Sequence, residues 1–328
     1  MNHQYIIRET GKVTDEKLYG DKIINYIYSD IRENVPFIFK HIVSSRTTKL
    51  LGFINYDIPL SKKSIKRILS DLEINLDECC DDISHFKSAR DIFERKIRYW
   101  ECRPIEDRGD AVVSPADAKM IVGSLNSSSL FFVKGKFFDL KEMIGVEKWV
   151  ESFLEGDYAI FRLTPDKYHY NHFPVDGVIR DFYIVDGDYH SCNPTAVVNV
   201  ITPYSKNRRT VTVIDTDVDG GTGIGLVIMV EVVAMMIGDI LQSYSEVGYE
   251  SPQPMKLGMR VKKGQPKSLY RPGSSTDILF FQKNRVRFCY DILMHCNRLD
   301  VKSRFTEGFK KPLVEVDLKV RSTIAYAI

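Results

Sequence analysis

The sequence predicts an α+β protein in which a helical N-terminal region, residues 1–105, packs on a β-rich, barrel- or sandwich-like core, residues 106–328. Apolar residues recur at helical spacing in the first hundred residues. Beyond Ala111, short runs of Val, Ile, Phe and Tyr alternate with polar turns, which is typical of antiparallel strands. A composition of 44% hydrophobic and 27% charged residues excludes a wholly disordered chain.

Three helices are predicted in the N-terminal region. Asp21–Arg32 carries isoleucines at helical spacing, Ser61 can cap a helix that runs toward Leu72, and Asp91–Tyr99 forms a third helix. Opposite the apolar face of the second helix lies a basic set of residues: Lys62, Lys63, Lys66 and Arg67. This basic face is either an ordinary solvated surface or a contact with an anionic membrane surface.

The core is predicted to contain closely spaced strands. They are Ala111–Val113, Phe131–Val133, Tyr158–Leu163, Gly177–Val185, Thr210–Ile214, Gly225–Ala234, Ile278–Gln282 and Val286–Phe288. The apolar stretch 224–240 is interrupted by Glu231 and Asp239, so it favours two buried strands over a membrane span.

Charge, cysteine spacing and the N-terminus exclude several classes of protein. A net charge of +2 gives no chain-wide case for nucleic-acid binding. The six cysteines include no C-x-x-C pair, which argues for reduced thiols rather than a zinc site or a disulfide framework. His169 and His172 have metal-ligand spacing, but no third ligand follows at a diagnostic distance, so no metal is predicted. The first residues lack the apolar core of a signal peptide.

Three segments could carry chemistry. A Ser-Pro-Ala-Asp corner ends in Asp117, a Tyr-His-Tyr-Asn-His segment contains His169 and His172, and a Gly-Ser-Ser-Thr turn contains Ser274 and Ser275 just before an apolar strand. An Asp, a His and a Ser are the components of a nucleophilic triad. Many proteins of this size offer such a triple by chance, so the three residues alone do not settle the function.

The surrounding residues resemble the phosphatidylserine decarboxylases, self-processing pyruvoyl enzymes, from about Arg8 to Leu313. The similar blocks are ordered along the chain. They are Arg8–Lys12, Glu16–Gly20, Ser45-Arg46, Ile58–Leu60, Asp91–Lys96, Arg103–Ile105, Ser114–Asp117, Tyr168–His172, Pro174–Gly177, Gly187-Asp188, Ser191–Pro194, Lys263-Gly264 and Gly273–Phe281.

The resemblance implies a role for each candidate residue. Ser275 is the serine that becomes the pyruvoyl group, His172 is the general base of self-cleavage, Asp117 orients His172, and His169 serves decarboxylation. Cleavage between Ser274 and Ser275 would give a β chain, residues 1–274, and an α chain of 54 residues (328 − 274). If the register shifted by one residue, Ser274 would be the reactive serine, an alternative that stays open.

The implied function is conversion of phosphatidylserine to phosphatidylethanolamine and CO₂ through a Schiff base to the pyruvoyl group. The expected location is peripheral, on the cytoplasmic side of a membrane with an anionic surface. Expected partners are this lipid and the two chains themselves; a homodimer is left open. The alternatives are a soluble amino-acid decarboxylase with the same pyruvoyl cofactor and an unprocessed, inactive lipid-binding relative.

The sequence departs from the family pattern close to the proposed cleavage site. Ser274 stands where the family has Gly, Val233 replaces another Gly, and Asp277 replaces an apolar strand residue. Glycine permits backbone angles that cost other residues strain, and self-cleavage requires a contorted turn. Because Asp117, His172 and Ser275 are all retained, an active enzyme is favoured over an inactive one.

Overall fold

The computed structural model describes residues 2–18, 20–125, 138–200, 202–235, 239–272 and 275–328. Within these ranges the chain forms sixteen strands. They are β1 Gln4–Ile7, β2 Val13–Asp15, β3 Ala111–Val113, β4 Ala118–Ser124, β5 Asp157–Leu163, β6 Tyr170–His172, β7 Gly177–Val185, β8 Arg209–Asp215, β9 Leu226–Val232, β10 Ile240–Gln242, β11 Arg260–Val261, β12 Pro266–Tyr270, β13 Ser275–Phe281, β14 Val286–Phe288, β15 Glu315–Leu318 and β16 Thr323–Ala327.

Ten of the strands form one large sheet in the order β11-β7-β8-β9-β13-β5-β4-β15-β1-β2. The mixed α+β architecture is therefore confirmed. The two ends of this sheet, β11 and β2, do not pair with each other among the described residues, so the sheet is open and the core is not a closed barrel. Strand β13 lies in the middle, hydrogen-bonded to β9 on one side and β5 on the other.

Two three-stranded sheets complete the core, β10-β12-β6 and β14-β16-β3. Strand β12 pairs with β6 so that Pro266 faces His172 and Leu269 faces Tyr170. This small sheet brings the histidine segment beside β12, the last strand before the Gly-Ser-Ser sequence.

Strand β13 alternates strictly between the two faces of the large sheet, as its apolar sequence requires. Leu279 and Phe281 pack in one hydrophobic cluster with Phe161, whereas Ile278 and Phe280 pack in a second cluster on the opposite face. Both faces are buried, so β13 is a central strand of the core. Ser275 occupies the same face as Leu279 and Phe281.

Thirteen α-helical segments lie in the described residues. They are α1 Asp21–Tyr26, α2 Arg32–Asn34, α3 Pro36–Ile42, α4 Ser45–Gly52, α5 Lys62–Asp71, α6 Ala89–Phe93, α7 Tyr99–Cys102, α8 Leu140–Ile144, α9 Glu147–Val150, α10 Pro194–Asn199, α11 Pro203–Lys206, α12 Tyr290–Cys296 and α13 Arg304–Phe309. Two π-helical turns, Ile27–Ile31 and Phe53–Asp57, continue α1 and α4.

Helix α5 confirms its predicted cap and faces. The Ser61 side chain accepts a hydrogen bond from the Ser64 N–H, while Ile65 and Leu69 are buried. The four basic side chains of its other face are exposed. None of the helices in the described ranges is long and apolar enough to cross a membrane.

The third predicted helix, Asp91–Tyr99, is wrong in extent. A capping box between Ser88 and Asp91 starts α6 two residues earlier, and the helix ends at Phe93. Residues beyond it leave the helix because Ile97 forms a β-bridge with Cys79. Tertiary pairing thus overrides the local helical pattern.

Two further predictions, one strand and the helical character of the N-terminal region, have other outcomes. The strand predicted at Phe131–Val133 lies outside the described residues. The N-terminal region is not wholly helical, since β1 pairs in parallel with β15 and antiparallel with β2 at the edge of the large sheet.

Candidate active site

Asp117 lies at the corner between β3 and β4 and is buried. Arg103 donates two hydrogen bonds to its carboxylate, from Nε to Oδ1 at 3.0 Å and from Nη2 to Oδ2 at 2.8 Å. The Val320 N–H donates a third, at 2.8 Å. Burial alone would raise the pKa of Asp117, but the charge and hydrogen bonds of Arg103 outweigh it and hold that pKa below its ordinary value. Asp117 is therefore a carboxylate at neutral pH.

His172 closes β6 beside this corner, and both of its ring nitrogens are engaged. Nδ1 lies 2.9 Å from the Gly264 carbonyl oxygen, and Nε2 lies 3.0 Å from the Tyr168 hydroxyl. Its backbone N–H donates to the Pro115 carbonyl at 2.7 Å, which ties His172 to the turn that carries Asp117. Burial lowers the pKa of His172 to about 3. The ring is therefore neutral, with its basic nitrogen at Nε2.

His169 precedes β6 and has a different environment. Its Nδ1 lies 2.8 Å from the Lys167 carbonyl oxygen, whereas its buried Nε2 has no hydrogen-bond partner among the described residues. The ring stacks on Phe93 with 3.6 Å between centroids. Burial, followed by the nearby charge of Arg95, lowers the pKa of His169 to about 3. A neutral imidazole with a free basic nitrogen can exchange a proton with a reacting group.

Ser275 is the first residue of β13 and is fully buried. It faces Leu163 of β5 in the strand register. Its hydroxyl oxygen makes no hydrogen bond within the part of the chain that the structure describes. Ser274, the other side of the predicted cleavage site, lies outside that part. The strand before Ser274, β12, is linked to the histidine segment by the Tyr270 N–H, which donates to the His169 carbonyl at 3.0 Å.

All four candidate residues are buried, and they do not form a continuous hydrogen-bonded triad among the described residues. Asp117 bonds to Arg103, and His172 bonds to Tyr168 and Gly264. The Ser275 hydroxyl has no hydrogen-bond partner in the described part of the chain. A backbone hydrogen bond joins the Asp117 turn to His172, and β12 joins the histidine segment to the strand that begins with Ser275.

The family follows from comparison with known proteins. The family model described as phosphatidylserine decarboxylase matches residues 89–297, which include all four candidate residues. A phosphatidylserine decarboxylase proenzyme of Clostridium tetani is 31% identical over 294 residues, covering 88% of this chain and 91% of the relative. The chain belongs to the phosphatidylserine decarboxylase family. Proenzymes with the same name from Clostridium perfringens (strain SM101) and Fusobacterium nucleatum are 34% and 30% identical, covering 87% and 93% of this chain and 91% and 96% of the relatives.

Sequence reasoning assigned no role to Arg103. It was noted only as part of an Arg-Pro-Ile block, yet its guanidinium bridges Asp117 and Glu78, with Nη2 2.8 Å from the Glu78 carboxylate. No local pattern could have paired residues fourteen positions apart in this way. A buried arginine bonded to the candidate carboxylate of Asp117 is visible only in the folded chain.

A buried polar cluster beside Ser275 was also missed. The Asp277 carboxyl accepts a hydrogen bond from the Tyr270 hydroxyl at 2.8 Å and faces Glu231 in the strand register. Lys267 Nζ lies 2.5 Å from the Glu231 carboxylate, and Ser268 and Asn171 also donate to that carboxylate. Burial and the charge of Glu231 raise the pKa of Asp277 well above its usual range. Asp277 is thus a neutral acid two residues from Ser275. The sequence signal was a single Asp within an apolar strand.

Aromatic contacts connect His169 to the N-terminal helices. Phe93 stacks on His169 and also packs edge-on against Tyr56, at 6.0 Å between ring centroids. Tyr56 belongs to the π-helical turn that continues α4. Large apolar side chains are exposed along the helical segments between Asp21 and Ile58: Ile23, Tyr26, Val35, Phe37, Ile38, Leu50, Phe53, Ile54 and Ile58. We call this set the apolar helical surface.

Proposed function

We propose that this protein is a phosphatidylserine decarboxylase that generates its own pyruvoyl group from Ser275. The observation that carries the proposal is the buried Ser275 hydroxyl at the start of a central strand, without a hydrogen-bond partner among the described residues, in a chain of this family. A serine hydroxyl is a weak nucleophile and requires an adjacent base. Both histidines are deprotonated and can serve as bases.

Self-cleavage begins with attack of Ser275 Oγ on the carbonyl carbon of Ser274. His172 Nε2 accepts the hydroxyl proton and returns it to the amide nitrogen as the peptide bond breaks, which converts the peptide bond into an ester. For this step His172 exchanges its hydrogen bond to Tyr168 for one to Ser275. The negative charge of Asp117 favours the imidazolium form of His172 without a direct hydrogen bond.

The residues around Ser275 fit a pyruvoyl group. A pyruvoyl group supplies a carbonyl that condenses with a substrate amine and withdraws electrons as CO₂ departs. The Ser275 hydroxyl has no hydrogen-bond partner among the described residues, and this supports the proposal because no polar group there holds a serine in place. His169 Nε2, the bare nitrogen of a neutral ring, can accept a proton from the ammonium group of the substrate and return it to the substrate after CO₂ departs, a role that requires no contact with Asp117.

The two chains produced by cleavage remain one folded unit. Strand β13 would belong to the α chain, yet it pairs along seven residues with β5 and along six with β9, both in the β chain. Cutting the bond before Ser275 leaves these ladders intact.

The apolar helical surface supports a lipid substrate at a membrane. Exposed side chains of this kind, such as Phe37 at 70% and Ile23 at 66% exposure, are the ones that enter the headgroup boundary of a bilayer. The exposed basic face of α5 would meet anionic lipid. From this surface, Tyr56 and Phe93 lead to His169 through ring contacts. We therefore assign the protein a peripheral position on the cytoplasmic face of a membrane.

The test is decarboxylation of phosphatidylserine in liposomes without added pyridoxal phosphate or metal. We expect CO₂ and phosphatidylethanolamine from the purified protein and neither product from Ser275→Ala. Decarboxylation of a free aromatic amino acid, with no reaction on the liposomes, would overturn the lipid assignment in favour of a soluble-substrate enzyme. One intact chain without either activity would indicate an inactive relative.

Liposome binding tests the membrane contact separately. Charge attraction contributes about 1 kcal/mol per basic residue near an anionic surface and weakens with salt. Replacing Lys62, Lys63, Lys66 and Arg67 with Gln should weaken binding and reduce its salt dependence. Replacing Phe53 and Ile54 with Ser should weaken binding at every salt concentration. As a matched control, Lys283→Gln removes a charge from an exposed ion pair in the core and should leave binding unchanged.

A further inference from the structure

A chain of hydrogen bonds leads from His172 toward a cavity at the surface. The Tyr168 hydroxyl lies 3.0 Å from His172 Nε2 and 2.8 Å from the Tyr249 hydroxyl. Tyr249 in turn lies 2.9 Å from the Ile97 carbonyl oxygen. Tyr249 lines a cavity of about 890 Å³ together with Tyr99 and other residues. Tyr168 itself is buried.

The available protons determine which group donates in each of these hydrogen bonds. The Gly264 carbonyl can only accept, so His172 Nδ1 carries the ring proton and Nε2 is the bare nitrogen. The Tyr168 hydroxyl must therefore donate to Nε2. Burial raises the pKa of Tyr168 well above its usual range, so this phenol keeps its proton. In this arrangement Tyr168 occupies the lone pair that His172 needs in order to act as a base.

A second arrangement is available to the same hydroxyl. The Tyr249 oxygen accepts from the Ile97 N–H at 3.1 Å and can donate its own proton to the Ile97 carbonyl. Its remaining lone pair faces Tyr168 at 2.8 Å. Rotation of the Tyr168 hydroxyl would then satisfy both tyrosines and leave His172 Nε2 free. The two arrangements differ only in the position of one hydroxyl proton.

We propose that Tyr168 and Tyr249 are positioning residues for self-cleavage, with Tyr249 drawing the Tyr168 hydroxyl away from His172 so that Nε2 can accept the Ser275 proton. The proton balance is closed, since the Ser275 proton moves to Nε2 and then to the departing amide nitrogen. This inference rests on the proposed role of His172 as the base.

Packing fixes the rings of Tyr168 and Tyr249, whereas their hydroxyl protons can rotate between hydrogen-bond acceptors. Tyr170 stacks on Tyr168 with 5.5 Å between centroids and packs on Tyr249 at 4.9 Å. Tyr99 contacts His172 edge-on at 4.8 Å and Tyr249 at 5.6 Å. Because the rings are fixed on several sides, phenylalanine can replace either tyrosine without a large change in shape.

The experiment measures the rate of self-cleavage of newly made full-length chain in a cell-free translation reaction. Tyr249→Phe removes the alternative acceptor and pins Tyr168 on Nε2, so cleavage should slow by about fivefold, the effect of one hydrogen bond of ordinary strength. Tyr168→Phe exposes Nε2 and should cleave at least as fast as the unmodified chain. The Tyr168→Phe/Tyr249→Phe double variant should behave like Tyr168→Phe.

Two controls separate the hydroxyl effect from folding. Tyr170→Phe changes the same ring cluster, and its hydroxyl makes no hydrogen bond within the described residues, so its rate should equal that of the unmodified chain. Thermal unfolding shows whether each variant folds. If Tyr168→Phe does not fold, the comparison of Tyr249→Phe with Tyr170→Phe decides: a slower rate in Tyr249→Phe alone supports the proposal, and equal rates overturn it.

Slower cleavage in both single variants, with additive losses in the double variant, would overturn the proposal. His172→Ala distinguishes this failure from that of the proposed function. If His172→Ala still cleaves, His172 is not the base and the proposed function fails at this residue. If His172→Ala does not cleave but the two tyrosine effects are additive, only the proposed exchange of the Tyr168 hydroxyl is rejected.

Discussion

Two buried polar regions on the same ten-stranded sheet contrast sharply. Around Arg162 of β5, the guanidinium donates to Glu16 and Glu315, with distances between 2.6 and 2.9 Å. His3 Nε2 lies 2.7 Å from the Glu315 carboxylate, and its Nδ1 accepts from the Arg304 N–H. Among the candidate active-site groups, by contrast, the Ser275 hydroxyl on this sheet, one carboxyl oxygen of Asp277 beside it in β13 and His169 Nε2 before β6 lack partners within the described residues.

The fully paired cluster around Arg162 serves stability, whereas unpaired polar groups are suited to reactivity. A buried charge requires partners, and the Arg162 cluster supplies them from β5, from β15, from His3 just before β1 and from Glu16 just after β2, so it ties both ends of the chain to the sheet. An unpaired buried polar atom costs free energy and is kept only where something else requires it. These three unpaired atoms belong to the proposed nucleophile, the proposed proton carrier and a neutral acid.

The largest expected effect is the loss of self-cleavage in Ser275→Ala. Mass spectrometry should find one chain of about the full 37.8 kDa in place of two chains. Because alanine removes an unpaired hydroxyl, the fold should not be destabilised by more than about 1 kcal/mol. The control is Ser274→Ala, which should still cleave. If Ser274→Ala alone blocks cleavage, the reactive serine is one residue earlier.

The two histidines should respond differently. His172→Ala should stop cleavage, whereas His169→Ala should cleave and then decarboxylate about 10²- to 10⁴-fold more slowly, the usual contribution of a positioned proton donor. The measurements are gel analysis of the two chains and release of CO₂ from phosphatidylserine. A His169→Ala protein that both cleaves and decarboxylates at the normal rate would refute this division of roles.

The Arg162 cluster should govern stability. Arg162→Met leaves Glu16 and Glu315 buried without their main partner and should lower the free energy of unfolding by about 3–5 kcal/mol. Urea unfolding in the uncleaved Ser275→Ala background keeps a single chain in both states. Lys283→Ala breaks an exposed ion pair with Glu155 and should cost less than about 1 kcal/mol. If both variants lost the same free energy of unfolding, the buried cluster would contribute no more to stability than an exposed ion pair.

The smallest effect concerns Asp277 and pH. A carboxyl whose pKa is raised by folding binds its proton more tightly in the native state, so its contribution to stability falls as pH rises above about 4 toward the raised pKa. Asp277→Asn keeps an acceptor for Tyr270 but cannot ionise. In the Ser275→Ala background it should unfold a few degrees higher than its parent at pH 8, with a smaller difference at pH 5.5. A difference that does not change with pH would mean that Asp277 does not titrate in this range.

Local patterns predicted much of the fold. Strand β7 has the predicted bounds, Gly177–Val185, and the cap of α5 at Ser61 was predicted correctly. Both signals are short-range, namely alternation along a strand and a side chain bonded to the next helical turn. The helix expected at Asp91–Tyr99 was wrong in extent because its last residues pair with Cys79, which no local pattern reveals.

The sequence by itself determined the family, the four candidate residues and the mixed α+β class, because motifs and periodicity are written along the chain. Only the tertiary structure decided that Asp117 bonds to Arg103, that Tyr168 occupies His172 Nε2 and that the large sheet stays open. Hydrogen bonds and burial depend on groups that are distant in sequence and meet only after folding. The two histidines, three positions apart, thus differ within the described structure: the basic nitrogen of His172 is hydrogen-bonded and that of His169 has no partner.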